Sequence, residues 1–208
     1  MAYFPMFIEL KNMPCLVVGG GKMAVRKVKV LQDFDAEVTV LAKEFLPVFY
    51  EMEQVLLRKK TFGFSDLQGF QLVVAATDDE ELNHEIALEC KRRGIFVNAV
   101  DQPSDCSFIF PAYVKEGDVV AAFSSGGKSP VIAQYLKEIM KENIPAELEE
   151  AADFLGSIRD TVKDRVEKLP DRKELYQRLL EYIVETHHLP EDSLLETMIE
   201  EYRNEEEK

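Results

Sequence analysis

Three consecutive glycines, Gly19-Gly20-Gly21, constrain the fold of this chain more than any other feature. The apolar run before them, Cys15–Val18, is typical of a buried strand, and the stretch after them repeats apolar side chains at helical spacing. With Ala24 the glycines fit the pattern G-x-G-x-x-A. The first glycine permits a tight turn, the second lets backbone approach a pyrophosphate, and a small last residue lets the helix pack on the strand. The pattern predicts a dinucleotide-binding unit.

The first turn of the predicted helix begins with Lys22 and Met23. Free N–H groups and the positive end of the helix dipole make such a turn attractive to phosphate. We therefore predict that Gly19, Gly21, Lys22 and Met23 bind the cofactor. The structural alternative is a glycine-rich turn that holds no ligand.

The end of the second predicted strand, Glu37–Leu41, is less typical. In this fold an Asp or Glu about 20 residues beyond the turn usually binds the ribose. Here Glu44 comes slightly late, and Lys43 stands where the acid is expected. Because Lys43 could attract a 2′-phosphate, the residues alone leave NAD and NADP both open. Ala42, Lys43 and Glu44 are the candidates for this end of the cofactor.

Strands and helices continue to alternate along the first half of the chain. Gln71–Ala76 is a continuous apolar run, as expected of a strand buried on both faces. Thr77-Asp78-Asp79 predicts the N-cap of a helix through about Arg93, and Ile95–Val100 predicts the next strand. The order predicts an α/β fold with a Rossmann-like parallel sheet. We also predict a helix from about Phe45 to Glu53.

Past Pro111 the pattern changes. Two short strands, Ala112–Val114 and Val119–Phe123, precede a helix from Pro130 to Lys141. Beyond it, apolar residues recur at spacings of three or four and predict one amphipathic helix face: Leu148, Ala152, Leu155, Ile158, Val162 and Val166. Two or three further helices, divided by Pro170 and Pro190, complete the chain. We predict a dinucleotide-binding domain (1–111), a small strand–helix segment (112–145) and a helical domain (146–208).

The charge balance argues against nucleic acid as a partner. The chain has 25 Lys/Arg and 39 Asp/Glu, and residues 146–208 alone carry 9 and 19, a net charge of −10. Such a surface repels phosphate backbones. The three cysteines form no C-x-x-C pair, which favours a reducing, cytoplasmic setting. Met1–Leu10 lacks a signal-peptide pattern, and no apolar run approaches the roughly 20 residues of a membrane span.

Six motifs occur in order, and they carry a resemblance to a known family: Tyr3–Phe7, Leu16–Lys27, Ala75–Asn83, Val97–Pro103, Ser107–Pro111 and Ser124–Pro130. The chain closely resembles the precorrin-2 dehydrogenase family, which includes the N-terminal half of bacterial siroheme synthase and a fungal dehydrogenase–ferrochelatase. The resemblance is strong over residues 1–145. In the remaining tail it extends only to the general helical character of the sequence.

The resemblance implies an activity and a set of partners. Members of this family oxidise precorrin-2 to sirohydrochlorin with NAD⁺, and some also insert Fe²⁺ as a second substrate. They dimerise through the strand–helix segment, here Ala112–Lys141, and their active site lies in a cleft between domains. The alternatives are a chelatase without dehydrogenase activity and a dinucleotide-binding sensor whose acidic tail recruits a partner.

The resemblance also assigns site residues. Asp101 matches the family's general base, and a carboxylate beyond a strand end of an open α/β sheet is well placed for that role; the alternative is an Asp that caps the turn at Gln102-Pro103. Thr77 matches a cofactor contact. Ser124 matches a substrate-pocket serine, and Lys128 with the following helix N-terminus could cradle the carboxylates of precorrin-2; a capping turn without ligand is the alternative.

Two basic residues and the histidines receive no role from the sequence. Arg26 and Lys27 follow the glycine turn, but charges on a helix commonly face solvent. His84 and His187-His188 form no i, i+4 pair with another His or Cys, so we predict no resident metal site.

Overall fold

The computed structural model describes residues 3–203. The chain divides into two compact units, Met1–Phe110 and Pro111–Lys208. The first unit contains five strands and two α-helices: β1 (Pro14–Val18), α1 (Lys22–Gln32), β2 (Glu37–Ala42), β3 (Val55–Lys59), β4 (Leu72–Ala75), α2 (Glu80–Arg93) and β5 (Phe96–Ala99). All neighbouring strands pair in parallel. The predicted Rossmann-like α/β fold is confirmed.

The strand order places a crevice at the middle of the sheet. The order is β3-β2-β1-β4-β5, so the chain runs outward from β1 in one direction and then crosses over to β4. The connections at the carboxyl ends of β1 and β4 therefore diverge. Ligands of open α/β sheets bind at such a switch point.

Two buried layers, one on each face of the sheet, hold the first unit together. The layer that contains Val28 and Leu31 of α1 also contains Cys15 of β1, whereas the layer that contains Ile86 and Cys90 of α2 contains Leu16. Successive side chains of a strand point to opposite faces, so β1 contributes to both layers. Its side chains are at most 2% exposed from Cys15 to Val18, as the apolar run predicts.

Helix α2 begins and ends as its sequence predicts. The Asp79 side chain accepts hydrogen bonds from the backbone N–H groups of Glu81 and Leu82, both at 3.1 Å. Gly94 ends the helix in the left-handed conformation, with φ 72°. The predicted helix over residues 45–53 is wrong: the segment forms only a 3-10 helix, Pro47–Glu51. Pro47 has no N–H to donate, and Gln54 turns the chain with φ 57°.

The second unit consists of a hairpin and five helices: β6 (Ala112–Glu116), β7 (Val119–Phe123), α3 (Pro130–Asn143), α4 (Leu148–Ser157), α5 (Arg159–Arg165), α6 (Leu169–Thr186) and α7 (Asp192–Arg203). Strands β6 and β7 are antiparallel. A separate buried cluster lies among α5, α6 and α7; it includes Val162 and Val166, Leu175 and Leu179 of α6, and Ile199 of α7.

The single amphipathic face predicted from Leu148 to Val166 is interrupted. The helix breaks at Ile158, which ends α4 and precedes α5, and of the predicted face only Val162 and Val166 are buried. Pro170 lies in the first turn of α6, where its missing N–H costs nothing, rather than between two helices. The domain division at residue 145 stays a prediction. Within residues 3–203, no helix is both long and apolar enough to cross a membrane.

Candidate active site

A cleft of about 620 Å³ opens at the carboxyl ends of β1, β2 and β4. Six predicted cofactor residues line it together: Gly19, Gly21, Ala42, Lys43, Glu44 and Thr77. Lys22 and Met23 do not line it; they form the first turn of α1. The cleft thus lies at the switch point that the strand order creates.

Two of the glycines are required by the packing of the turn itself. Gly19 has φ 128°, and a Cβ there would stand 2.1 Å from the carbonyl oxygen of Ala76. A Cβ on Gly20 would stand 2.0 Å from the carbonyl oxygen of Glu44. Both neighbours are backbone atoms, which cannot swing aside. The glycine turn is therefore pressed against the loops that follow β4 and β2.

Gly21 has a different environment. It is the N-cap of α1, its φ of −90° suits any residue, and a Cβ there would meet no heavy atom within 4 Å. Nothing in the described protein therefore demands glycine at this position, whereas a ligand approaching the backbone would. The N–H groups of Lys22 and Met23 have no intrahelical acceptor because they belong to the first turn. An open Cβ position beside these donors fits a pyrophosphate.

The side of the cleft beyond β2 carries mixed charge. Lys43 and Glu44 are exposed, and Lys60, which follows β3, lines the cleft with them. Lys60 reaches this place because Ala42 of β2 is in register with Lys59. Its Nζ donates to Asp66 Oδ1 at 2.7 Å, and this hydrogen bond is the largest cause that lowers the pKa of the Asp66 carboxyl. The Lys60 charge is thus partly neutralised, which the sequence did not indicate.

Thr77 is held by a local hydrogen-bond network. Its backbone N–H and its hydroxyl both donate to Asn83 Oδ1, at 3.1 and 2.8 Å, and Asn83 Nδ2 donates to the Thr77 carbonyl at 3.0 Å. Asn83 is 2% exposed. This buried amide is a residue that sequence reasoning missed; its only signal is a polar residue on the inner face of α2. The network fixes the loop after β4 along one wall of the cleft.

Asp101 lies in a tight turn beyond β5. The turn closes with a hydrogen bond from Gln102 N–H to the Ala99 carbonyl at 3.3 Å, and Asp101 occupies the left-handed region with φ 60°. Few side chains adopt this conformation readily, although Asp and Asn tolerate it. The carboxylate is exposed and is not among the residues that line the cleft. It nevertheless stands beyond a carboxyl strand end of the same sheet.

Lys27, to which the sequence assigned no role, is not a solvated surface charge. It is half-buried, and its Nζ lies 4.0 Å from the centre of the Phe110 ring. Burial lowers its pKa, while the charges of Cys106 and Asp101 act in the opposite direction. The ammonium therefore lies near enough to Asp101 for the two charges to attract each other. Its signal in the sequence was its position one turn into the helix after the glycines.

Ser124 and Lys128 belong to the second unit, in the turn between β7 and α3. Ser124 Oγ accepts from the Gly126 N–H at 3.1 Å, and Gly126 and Gly127 both have positive φ. Ser125, not Ser124, ties the turn to the helix, since its Oγ donates to the Ser129 carbonyl at 2.7 Å. Ser124 and Lys128 are exposed. The turn thus presents them next to the N-terminus of α3.

Across residues 3–203 there is no cluster of three His, Cys, Asp or Glu side chains that could hold a metal ion. His84 Nδ1 instead lies 2.7 Å from Asp105 Oδ2, and His187 Nδ1 lies 2.5 Å from Glu147 Oε1.

Comparisons with known proteins agree with this geometry. Residues 6–112 match the family described as "Putative NAD(P)-binding". The chain is 40% identical over 184 residues to "Siroheme synthase" of Methylococcus capsulatus, covering 87% of this chain and 39% of that protein. It is 41% identical over 182 residues to "Siroheme synthase 1" of Pectobacterium atrosepticum, covering 86% and 38%. The chain thus spans about two fifths of the length of these relatives.

A solved structure resembles the whole fold. The structure of "SirC, precorrin-2 dehydrogenase" has a TM-score of 0.71 and 25% sequence identity, and the alignment covers 96% of this chain and 100% of that one.

Proposed function

This chain belongs to the NAD(P)-binding family, and from that premise we propose that it is a precorrin-2 dehydrogenase, which oxidises precorrin-2 to sirohydrochlorin with NAD⁺ in siroheme synthesis. The observation that carries the proposal is the pairing of two features at one sheet edge: an open dinucleotide cleft and an exposed carboxylate, Asp101. Similarity to siroheme synthases and to a precorrin-2 dehydrogenase supports the choice of substrate.

Different residues around the cleft would bind different parts of the dinucleotide. The N–H groups at the start of α1 would hold the pyrophosphate over the open side of Gly21, and Glu44 would accept hydrogen bonds from a ribose. The Thr77–Asn83 network keeps the opposite wall in place. The bound cofactor supplies the hydride acceptor.

Asp101 would act as the general base. Oxidation of precorrin-2 removes a hydride, which leaves with the cofactor, and a proton, which the Asp101 carboxylate accepts. Lys27, whose charge attracts that of Asp101, would lie beside the base. Ser124, Lys128 and the start of α3 would hold carboxylates of the substrate.

The test of this function is an assay with precorrin-2 and NAD⁺ without metal. We expect absorbance at 340 nm from NADH to rise together with the spectrum of sirohydrochlorin. Folded protein that binds NAD⁺ but forms no NADH would reject the dehydrogenase and leave a sensor or a chelatase. Iron insertion, for which the exposed Asp101 could also accept pyrrolic protons, is tested with sirohydrochlorin and Fe²⁺. A rate equal to the enzyme-free blank rejects it.

The choice between NAD and NADP depends on Glu44 and Lys43. We expect Glu44→Gln to raise the Kd of NAD⁺ about tenfold, since a hydrogen bond to a charged group is lost. Lys43→Gln is the matched control and should change the Kd of NAD⁺ by less than about twofold. Titration of each variant with both dinucleotides measures this. The proposal for NAD fails if Glu44→Gln is silent and Lys43→Gln weakens NADP⁺ instead.

The outer face of α3 supports a homodimer. Large apolar side chains at helical spacing are exposed there, including Val131 (75%), Tyr135 (65%) and Ile132 (53%). An exposed apolar patch of this kind commonly marks an interface. We propose that a second copy of this chain covers it.

Disrupting this face should separate the copies. Ile132→Glu would place a charge in the interface, where an unpaired buried charge costs several kcal/mol, and we expect the sedimenting mass to fall from twice the chain mass to 23.8 kDa. Lys29→Glu, an exposed charge change on α1 of the first unit, should leave the mass doubled. A wild-type protein that sediments as a single chain would contradict the dimer.

The free thiols support a cytoplasmic location. Cys15 and Cys90 are unpaired and fully buried, and burial raises the pKa of each thiol to about 12. Free thiols are typical of proteins in a reducing compartment.

A further inference from the structure

A groove of about 1010 Å³ runs between α5 and α6 of the second unit. Four of its eight lining residues are cationic, and one is acidic, Asp160. We call it the cationic groove; its basic residues are Arg159, Lys163, Arg172 and Lys173. The segment around it is strongly acidic, with a net charge of −10 over residues 146–208. Four of the nine cations of that segment thus line one groove.

These cations are not used to pair with the surrounding acids. Arg165 and Arg178 of the same helices do form ion pairs, with Glu196 and Glu200 and with Glu201 of α7. Within residues 3–203, by contrast, none of the four groove cations has a carboxylate within 4.0 Å. Glu196, Glu200 and Glu201 of α7 are therefore paired with other arginines. The groove keeps a net positive charge that a bound anion would relieve.

The positions of the groove cations also favour binding of an anion. Arg159 and Lys163 lie one turn apart on α5, and Arg172 lies near the start of α6. Like charges at i, i+4 repel each other. Arg172 Nη2 donates to the Glu167 carbonyl at 2.6 Å, but its Nε is buried and has no acceptor among the described residues. A buried donor without a partner is costly.

The groove also has an apolar part. Leu169 is 73% exposed, and Pro170 and Tyr176 line the groove beside it. Burial raises the pKa of Tyr176, and the charges of Arg159 and Arg172 oppose this shift. A single phosphate would need a compact set of donors. Cations spread over two helices around an apolar wall instead fit a large ligand with an apolar body and several separated anionic groups.

We propose that the cationic groove binds a polycarboxylate ligand and that this ligand is a carboxylate-bearing tetrapyrrole. The identity of the ligand rests on the proposed function, whereas the binding of a polycarboxylate rests on the groove alone. The groove would bind the substrate or the product through the carboxylates at the periphery of the tetrapyrrole. Arg159, Lys163, Arg172 and Lys173 would pair with carboxylates, and Leu169 and Tyr176 would contact the ring system.

Lysine footprinting tests the location directly. Uroporphyrin, a stable tetrapyrrole with carboxylates around its periphery, is added to the full chain without NAD⁺, and the protein is briefly acetylated and analysed by mass spectrometry. We expect protection of Lys163 and Lys173 and unchanged acetylation of Lys141, which is exposed on α3. Equal protection of all three lysines, or protection of none, would overturn the proposal.

Affinity provides the second arm of the test. Binding of uroporphyrin is measured by the anisotropy of its own fluorescence. We expect its Kd to be about fivefold higher for the double variant Lys163→Gln/Lys173→Gln than for the wild type. For Lys141→Gln the Kd should change by less than about twofold. An unchanged Kd in the double variant would reject the site. If polyglutamate protects the two lysines at lower carboxylate concentration than uroporphyrin, the partner is an acidic polypeptide. Neither experiment measures turnover. Binding of uroporphyrin in the groove can therefore be confirmed or rejected whatever the outcome of the dehydrogenase assay.

Discussion

Replacing Asp101 by Asn should lower kcat for precorrin-2 oxidation by about a hundredfold to ten-thousandfold, the range that general bases contribute. Asn is the appropriate substitution because it removes the charge and tolerates the left-handed conformation at φ 60°. The Kd of NAD⁺ should stay within about twofold, since Asp101 does not line the cleft. Single-turnover NADH formation and NAD⁺ titration of the same preparation give the two values.

Asp35→Asn is the matched control for this experiment. Asp35 is also an exposed aspartate in the left-handed conformation, with φ 56°, in the loop between α1 and β2. Its replacement removes the same charge from the same backbone geometry, away from the carboxyl ends of the strands, and kcat should not change. Full activity of Asp101→Asn would show that Asp101 only shapes its turn. Equal losses in both variants would point to global charge or folding.

Gly19→Ala should cost the first unit several kcal/mol of unfolding free energy. The added Cβ would stand 2.1 Å from a backbone carbonyl oxygen, at a φ of 128° that other residues rarely adopt. Overpacking and backbone strain each cost about 1–3 kcal/mol. Urea denaturation measures the loss, and cofactor binding should be lost with it because the turn must move.

Gly21→Ala separates packing from ligand binding. Its Cβ would meet no protein atom within 4 Å, and its φ of −90° is ordinary. We expect the urea midpoint to stay near the wild-type value while the Kd of NAD⁺ rises about tenfold or more, as a methyl group enters the space of the pyrophosphate. A variant with unchanged NAD⁺ affinity would argue that the dinucleotide does not lie against this turn.

The sequence predicts the layout of the first unit because its signals are local. A strand buried on both faces, a glycine turn and an Asp N-cap each specify their own conformation, and β1, the turn and the start of α2 follow them. The helix predicted at Phe45 fails because Pro47 and the left-handed Gln54 limit the segment to one 3-10 turn. The length of such a helix depends on backbone conformation, which the spacing of apolar residues does not predict.

The site is predicted less completely because it depends on register between distant segments. Lys60 reaches the cleft only through the pairing of β2 with β3, and Lys27 acquires its environment only when Phe110 packs over α1. The cationic groove joins residues of two helices whose orientation no motif encodes. Charge in the sequence identifies such residues as basic but does not reveal which of them find a carboxylate partner.

Each of the two buried layers contains a cysteine that can report when that layer opens to solvent. Cys15 is sealed in the layer that contains the side chains of α1, and Cys90 in the layer that contains those of α2. A thiol reagent can reach either sulfur only when its layer opens, so the labelling rate of each cysteine reports the free energy of that opening. Different rates would mean that one helix lifts from the sheet while the other stays docked. Equal rates would mean that the sheet and both helices open as one cooperative body.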